Sequence, residues 1–200
     1  MRPERESGPH VERLARASNE LGFQLLSLLL DEHSGRNVLV SSFSVSLALA
    51  MAYNGAEGRV KEALARALGI GDLSLRQVNE AGAALTSLGQ ALGPDLTLVI
   101  ANAIWVLEGL EPKPEFVERI SDAYDGKFGS VDFDEPATAD LINGWVADKT
   151  DDRIEQLVTA KLIEDAIMVL VNAVVFHGFW TSPFDESKTE RGPSSWSAGR

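Results

Sequence analysis

Residues 166–184, with the sequence AIMVLVNAVVFHGFWTSPF, decide the fold of this 200-residue chain. Between positions 167 and 176 every residue except Asn172 is apolar, and four of the ten are valine. Valine and aromatic residues favour a pleated backbone, so the segment predicts a β-strand. Because the strand is apolar on both faces, we expect it in the middle of a sheet, with other layers above and below.

Asn172 lies at the centre of this predicted strand. A buried amide costs free energy unless it is hydrogen-bonded, so we expect Asn172 to have defined partners. Gly178 ends the apolar run, and Trp180 and Phe184 follow it. Their size and apolar character predict that both aromatic side chains are anchored in the core.

A second segment, residues 96–107, resembles the first. It is long and apolar, and its central Asn102-Ala103 matches Asn172-Ala173. The likeness predicts two neighbouring strands of one sheet rather than a repeat of whole units.

The remaining elements follow from periodicity and from helix-ending signals. Helices are predicted over residues 12–30, 42–54, 57–68, 74–92, 114–124 and 138–149, and shorter strands over 38–40 and 128–133. Residues 42–54 contain no charged side chain, which is typical of a buried helix. Ser41 can cap this helix, and Ser44 is then a small hydroxyl near the core. In the last helix, Leu141, Trp145 and Val146 are expected to face inward.

Composition restricts the classes of partner. The net charge is −12, and residues 108–165 hold 16 acidic and 6 basic side chains. This acidity argues against nucleic acids and anionic membranes, since both attract positive patches. The chain has no cysteine, so disulfides and thiol chemistry are excluded. The charged N-terminus has no apolar segment typical of a secretory signal, and no apolar run is long enough to span a membrane.

No catalytic pattern stands out in the sequence. The three histidines, His10, His33 and His177, are scattered, and no nucleophile, phosphate-binding or metal-ligand motif occurs. We therefore expect no catalytic residues, no cofactor and no metal site. A hydrolase is the remotest hypothesis, because no nucleophile and base can be paired.

Read in order, several motifs resemble the N-terminal half of a serpin. They are NVLVSSFSVSLALAMAYNGA (37–56), ANA (101–103), VDF (131–133), INGWVADKT (142–150), LVNAVVFHGFW (170–180) and PF (183–184). The match covers about residues 12–190. It implies an α+β fold in which N-terminal helices pack on a large mixed or antiparallel sheet that is incomplete at the C-terminus. Residues 1–11 would be a flexible lead, and residues 12–200 the N-terminal portion of a single serpin domain.

The resemblance also implies a function. Serpins are suicide inhibitors of serine proteases and, in some cases, of cysteine proteases, rather than enzymes. Cleavage lets a reactive loop insert into the large sheet beside its third strand. Ser41, Ser44 and Asn172 match the shutter, the polar cluster that controls this opening, and Trp180 matches the breach, where insertion begins. The serines and Asn172 are expected to be hydrogen-bond partners.

The reactive loop and the closing strands of a serpin match no part of this sequence, so no reactive bond and no target protease can be assigned. The alternative hypothesis is a non-inhibitory interaction module or a degenerate half-serpin. Localisation stays open: the family is largely extracellular, whereas the absence of a visible signal peptide is compatible with the cytoplasm.

Overall fold

The computed structural model describes residues 8–33, 35–87 and 96–188. These residues form seven α-helices: α1 (Pro9–Glu32), α2 (Ser42–Gly55), α3 (Gly58–Ala67), α4 (Leu75–Thr86), α5 (Pro114–Tyr124), α6 (Ala137–Lys149) and α7 (Ala160–Ile163). They also form three strands, β1 (Leu96–Leu107), β2 (Gly126–Val131) and β3 (Met168–Gly178), and a 3-10 turn at Glu186–Lys188.

The three strands make one mixed sheet in the order β2-β1-β3. Strand β1 is parallel to β2 and antiparallel to β3. The predicted pairing of the two Asn-Ala strands is confirmed, because Asn102 lies directly opposite Asn172. The predicted fold class, helices packed on a mixed sheet, is confirmed as well.

The position predicted for β3 inside the sheet is wrong for the described residues. The central strand is β1, and β3 lies at an edge. The apolar pattern reports burial of the two faces and says nothing about the number of neighbouring strands. Both faces of β3 are indeed partly covered, since Leu170 packs on one core cluster and Val171 belongs to the other.

The alternation of side chains along β1 divides the core into two layers. Ile104 and Val106 pack with helices α1, α2, α4 and α5 on one face. Ala103 and Trp105 pack with α6 on the opposite face. Because β1 is covered on both sides, its six residues 101–106 are all buried.

Helix α2 is the buried helix that its uncharged sequence predicts. Leu47, Ala50 and Met51 are almost completely buried, and the helix contacts α1, α5 and β3. In α6 the inward positions are Ile142 and Val146, whereas Leu141 is half exposed. The prediction that Leu141 faces inward is therefore wrong, because the helix is rotated to place Ile142 and Val146, four residues apart, against the sheet.

Other boundaries differ from the predicted ones. The predicted strand at 38–40 is absent from the described residues, where that stretch is irregular and Leu39 is 98% exposed. So short a strand needs a neighbour to pair with, and the described chain supplies none there. Helix α1 begins at Pro9, where proline is favoured in the first turn. The division into a lead of residues 1–11 and a domain of residues 12–200 stays a prediction, and residues 1–7 lie outside the described ones.

Two further predicted elements have different bounds in the structure. Strand β2 begins and ends two residues earlier than the predicted 128–133, and Phe133, which follows it, is buried. Helix α4 ends at Thr86, and the last part of the predicted helix lies outside the described residues.

Candidate functional site

The middle of β3 carries the polar group that the sequence singled out. The side-chain Nδ2 of Asn172 donates to Oδ1 of Asn102 at 2.7 Å. Nδ2 of Asn102 in turn donates to the backbone oxygen of Tyr124 at 2.7 Å. Oδ1 of Asn172 is buried and has no hydrogen-bond partner within the described residues. Asn172 therefore ends a directed chain of hydrogen bonds with an unused acceptor.

The two serines have a different arrangement from the one expected. Oγ of Ser41 accepts a hydrogen bond from the backbone N–H of Ser44 at 3.2 Å, as the N-cap of α2. The partner of Asn172 is Asn102, so the expected bonds between the serines and Asn172 are absent from the described structure. The sequence identified both asparagines as central to their strands and predicted partners for Asn172, but not their mutual bond.

Ser44 and Asn172 nevertheless meet at one surface feature, which we call the β3 cleft. This cleft of about 400 Å³ lies between α2, β3 and the segment that contains α7. Its walls include Ser44, Val45, Ala48, Leu157, Ile163 and Asn172. Of the three predicted shutter residues, the structure thus brings two together, while Ser41 caps the helix beside them.

Trp180 is not the core anchor that its size predicts. Its side chain is 76% exposed, and that of Phe184 is 87% exposed. Phe179 is also exposed and contacts His177 edge to face, with ring centroids 5.0 Å apart. The prediction was wrong because it used the size of the side chain alone, and nothing in the described residues packs over the end of β3. The result is an exposed aromatic group at the predicted breach.

Asn143 of α6 is a buried polar residue within the motif INGWVADKT. Its Oδ1 accepts from the backbone N–H groups of Leu157 and Val158 at 2.8 and 2.9 Å. Its Nδ2 donates to the backbone oxygen of Val158 at 2.8 Å. One side chain thus fixes the segment that forms a wall of the β3 cleft. An asparagine at a buried position of an otherwise apolar helix face was the signal available for it.

Tyr124, the last residue of α5, is fully buried and joins two parts of the core. Its hydroxyl donates to Oδ1 of Asn79 at 3.1 Å and lies 3.4 Å from Nδ2 of Asn54. Asn54 and Asn79 also bond each other, at 2.8 and 2.9 Å. Burial raises the pKa of the Tyr124 hydroxyl well above its ordinary value, although the bond from Asn54 opposes this. The hydroxyl is therefore a neutral structural donor.

The described residues hold no group of three or more His, Cys, Asp or Glu side chains that could bind a metal ion. No helix of the same part of the chain is long and apolar enough to cross a membrane. His10 lies 3.6 Å from Glu80, and His177 packs edge to face on Phe179. Neither histidine lines the β3 cleft. Within the described residues, the site offers a strand edge without a neighbouring strand, a buried acceptor and an apolar cleft.

Comparison with known proteins gives the family. Residues 16–197 match the family model described as "Serpin (serine protease inhibitor)". The chain belongs to the serpin family. Among curated serpins, Iripin-2 of Ixodes ricinus is 33% identical over 183 residues, which is 90% of this chain and 46% of Iripin-2. Glia-derived nexin of Homo sapiens is 31% identical and is covered over 45% of its length.

Solved serpin structures agree with this fold. Human glycosylated kallistatin superposes with a TM-score of 0.83 at 26% identity, over 92% of this chain and 49% of kallistatin. Cleaved Serpin 42Da gives a TM-score of 0.81 at 30% identity, over 90% of this chain and 48% of that one. This serpin chain thus spans about half the length of the relatives that it matches.

Proposed function

We propose that the protein containing this chain inhibits a serine or cysteine protease as a suicide substrate. A reactive loop, once cleaved, would insert as a new strand beside β3, and the trapped protease would stay covalently bound. The observation that carries the proposal is the free edge of β3 in a chain of the serpin family. Strand β3 has 11 residues, pairs with β1 along one edge, and has no strand on its other edge within the described residues.

The open edge supports insertion for a physical reason. Unpaired backbone N–H and C=O groups of an edge strand are a template for another strand. Adding a strand through main-chain hydrogen bonds is a common mode of recognition, and stored strain released by cleavage can drive it. The β3 cleft lies beside this strand, so a polar cluster there is well placed to control access to it.

Within this proposal the shutter and the breach have separate roles. Ser41, Ser44 and Asn172 would control how readily a strand enters beside β3, since Ser44 and Asn172 line the β3 cleft and Ser41 caps the helix that forms one of its walls. Trp180 lies just beyond the end of β3, with an exposed ring that an inserting strand could contact first.

The first experiment measures the mass of the protein in its source cells, with an antibody against residues 12–30. A species heavier than the 21.6 kDa of this chain is expected, and it would be purified for protease screening. The proposal expects a protease adduct that survives denaturation. The same protease with its catalytic nucleophile replaced should give no adduct. Reversible inhibition without any adduct, by a species that contains a reactive loop, would contradict the proposal.

An interaction module without inhibitory activity is the second candidate. It is favoured by the exposed aromatic residues Phe179, Trp180 and Phe184 at the end of β3. An exposed apolar group of this kind is typical of a protein–protein contact. A species of 21.6 kDa in cells, with no larger form and no adduct, would favour this function over inhibition.

A further inference from the structure

Five residues connect the open edge of β3 with helices on the far side of the core. We call them the amide relay; they are Asn172, Asn102, Tyr124, Asn79 and Asn54. Asn172 donates to Asn102, and Asn102 donates to the backbone oxygen of Tyr124. The Tyr124 hydroxyl donates to Asn79 and accepts from Nδ2 of Asn54. The relay joins β3, β1, α5, α4 and α2.

The relay has a defined direction because one of its members can only accept. Tyr124 ends α5, and the last carbonyl groups of a helix have no partner within that helix. A carbonyl oxygen accepts and cannot donate, so Asn102 must turn Nδ2 toward it. Oδ1 of Asn102 is then left for Nδ2 of Asn172. The orientation of both amides is thus set by the end of α5.

The position of Tyr124 is itself tightly fixed. A methyl group added at Gly82 of α4 would lie 2.6 Å from Cε1 of the Tyr124 ring, so α4 tolerates only glycine there unless the ring moves. At the end of α5, the N–H of Asp125 bonds the carbonyl oxygens of Ile120 and Ser121. Ring and backbone carbonyl of Tyr124 are therefore both held in place, and a displaced ring shifts the carbonyl to which Asn102 donates.

We propose that Tyr124 and Asn102 are positioning residues for Asn172, which place the Asn172 amide at the open edge of β3 from the α4–α5 side of the core. The contribution of this arrangement to strand insertion rests on the proposed function. The positioning itself does not, because it concerns hydrogen bonds of the resting protein. Packing at Gly82, on α4, is then coupled to the Asn172 side chain on β3.

The test observes the side-chain amides directly in the protein as isolated from cells or expressed at the same length. Asparagine labelled with nitrogen-15 gives separate NMR signals for the seven asparagines of this chain, assigned by single substitutions. Gly82→Ala should displace Tyr124, shift the Asn102 and Asn172 signals and speed exchange of their side-chain protons. The exchange rates of these protons should rise by roughly twofold to thirtyfold, which is the range of effects found for mutations along a coupled network.

Matched controls separate positioning from loss of stability. Gly144→Ala in α6 adds the same methyl group where no atom lies within 4 Å, and it should leave both signals unchanged. Tyr124→Phe removes the hydroxyl that holds the ring to Asn79 and Asn54, and because it frees the ring it carries the test if Gly82→Ala does not fold. Its control is Tyr53→Phe, since the Tyr53 hydroxyl makes no hydrogen bond within the described residues.

The outcomes are distinct. If Gly82→Ala and Tyr124→Phe move the Asn54 and Asn79 signals but leave Asn102 and Asn172 unchanged, the positioning role is overturned. An equal response to Gly144→Ala or Tyr53→Phe overturns it as well. The NMR measurement needs no protease, so a coupled relay in a protein that forms no adduct leaves this inference standing and removes only the proposed function.

Discussion

At the scale of single residues, the buried asparagines contribute through hydrogen bonds that no other side chain replaces. Asn143 makes three bonds to residues 157 and 158. At a net contribution of about 1 kcal/mol each, Asn143→Ala should lower the free energy of unfolding by roughly 2–4 kcal/mol. Urea denaturation measures this directly. Asn19→Ala, on the exposed face of α1, is the control and should change stability by less than about 0.5 kcal/mol. Equal effects of the two substitutions would contradict the assignment.

Tyr124 should make stability depend on pH in the alkaline range. Its pKa is raised in the folded protein by burial, so the unfolded chain loses this proton first, at a pH near 10. The contribution is fully present below that pH and is lost as the pH rises toward the folded pKa. The free energy of unfolding should then fall by about 1.4 kcal/mol per pH unit above pH 10.

Comparison of Tyr124→Phe with Tyr53→Phe isolates this effect from other groups that titrate above pH 10. Denaturation curves at pH 9 and pH 11 should show a weaker pH dependence for Tyr124→Phe than for Tyr53→Phe. Parallel curves for the two variants would mean that Tyr124 ionises as easily in the folded protein as in the unfolded chain.

Three residues show how much of the site the sequence predicts and how much it does not. Asn102 and Asn172 were identified because each interrupts an apolar strand at its centre, which requires a partner. Their bond to each other was missed because a hydrogen-bond partner depends on register, and a strand pattern fixes the faces but not the register. Trp180 was misplaced for a related reason, since the burial of a residue beyond a strand depends on what lies above it.

At the scale of elements, the cap of α2 gives the hydroxyls of Ser41 and Ser44 different roles, although both residues match the shutter of the family. Oγ of Ser41 accepts from the N–H of Ser44, whereas the Ser44 hydroxyl makes no hydrogen bond within the described residues. Ser41→Ala should therefore lower the free energy of unfolding by about 1 kcal/mol, and Ser44→Ala by clearly less. Thermal or urea denaturation distinguishes them. A larger effect of Ser44→Ala would indicate a partner for its hydroxyl beyond the described residues.

Strand β3 is the element whose free edge should govern association of the 200-residue chain expressed alone. Open edges pair with other strands, and charged side chains, lysine above all, prevent this. Phe176, in β3, is 68% exposed, and Phe176→Lys should reduce the amount of oligomer in sedimentation experiments. Phe23→Lys in α1 replaces an equally exposed phenylalanine away from the sheet, and it should have little effect. An equal reduction by both would point to general apolar attraction instead of the β3 edge.

The helices were predictable as elements and the short strand was not. Helix α2 followed from a run of small and apolar residues without charge, bounded by Ser41 and Gly55. The backbone hydrogen bonds of a helix are local in sequence and need no distant strand to pair with. The stretch 38–40 has the composition of a strand, but a strand of three residues exists only beside another strand. For the same reason the sequence predicted β3 in the interior of a sheet, because a local pattern does not show how many strands pair with it.

At the scale of the whole molecule, the free edge of β3 and the covered faces of the sheet together determine where a new strand can pair. Helices α2 and α6 lie on opposite faces of the sheet, so within the described residues a new strand could enter only at an outer edge, beside β2 or beside β3, and the proposed insertion uses the edge of β3. A strand paired along the 11 residues of β3 would form about ten backbone hydrogen bonds, which contribute roughly 10 kcal/mol in total. Insertion should therefore make the molecule more stable.

The proposed mechanism consequently predicts that cleavage of the reactive loop raises the thermal midpoint of the full-length protein, whereas cleavage of an ordinary exposed loop leaves it unchanged or lowers it. Calorimetry before and after limited proteolysis measures the change, with the cleavage site identified by mass spectrometry. Asn172→Ala breaks the bond that joins β3 to β1, so the uncleaved form should melt earlier while the cleaved form, held by the added strand, loses less. A midpoint that falls on cleavage in both proteins would mean that the edge of β3 stays empty, and inhibition by insertion would then be untenable.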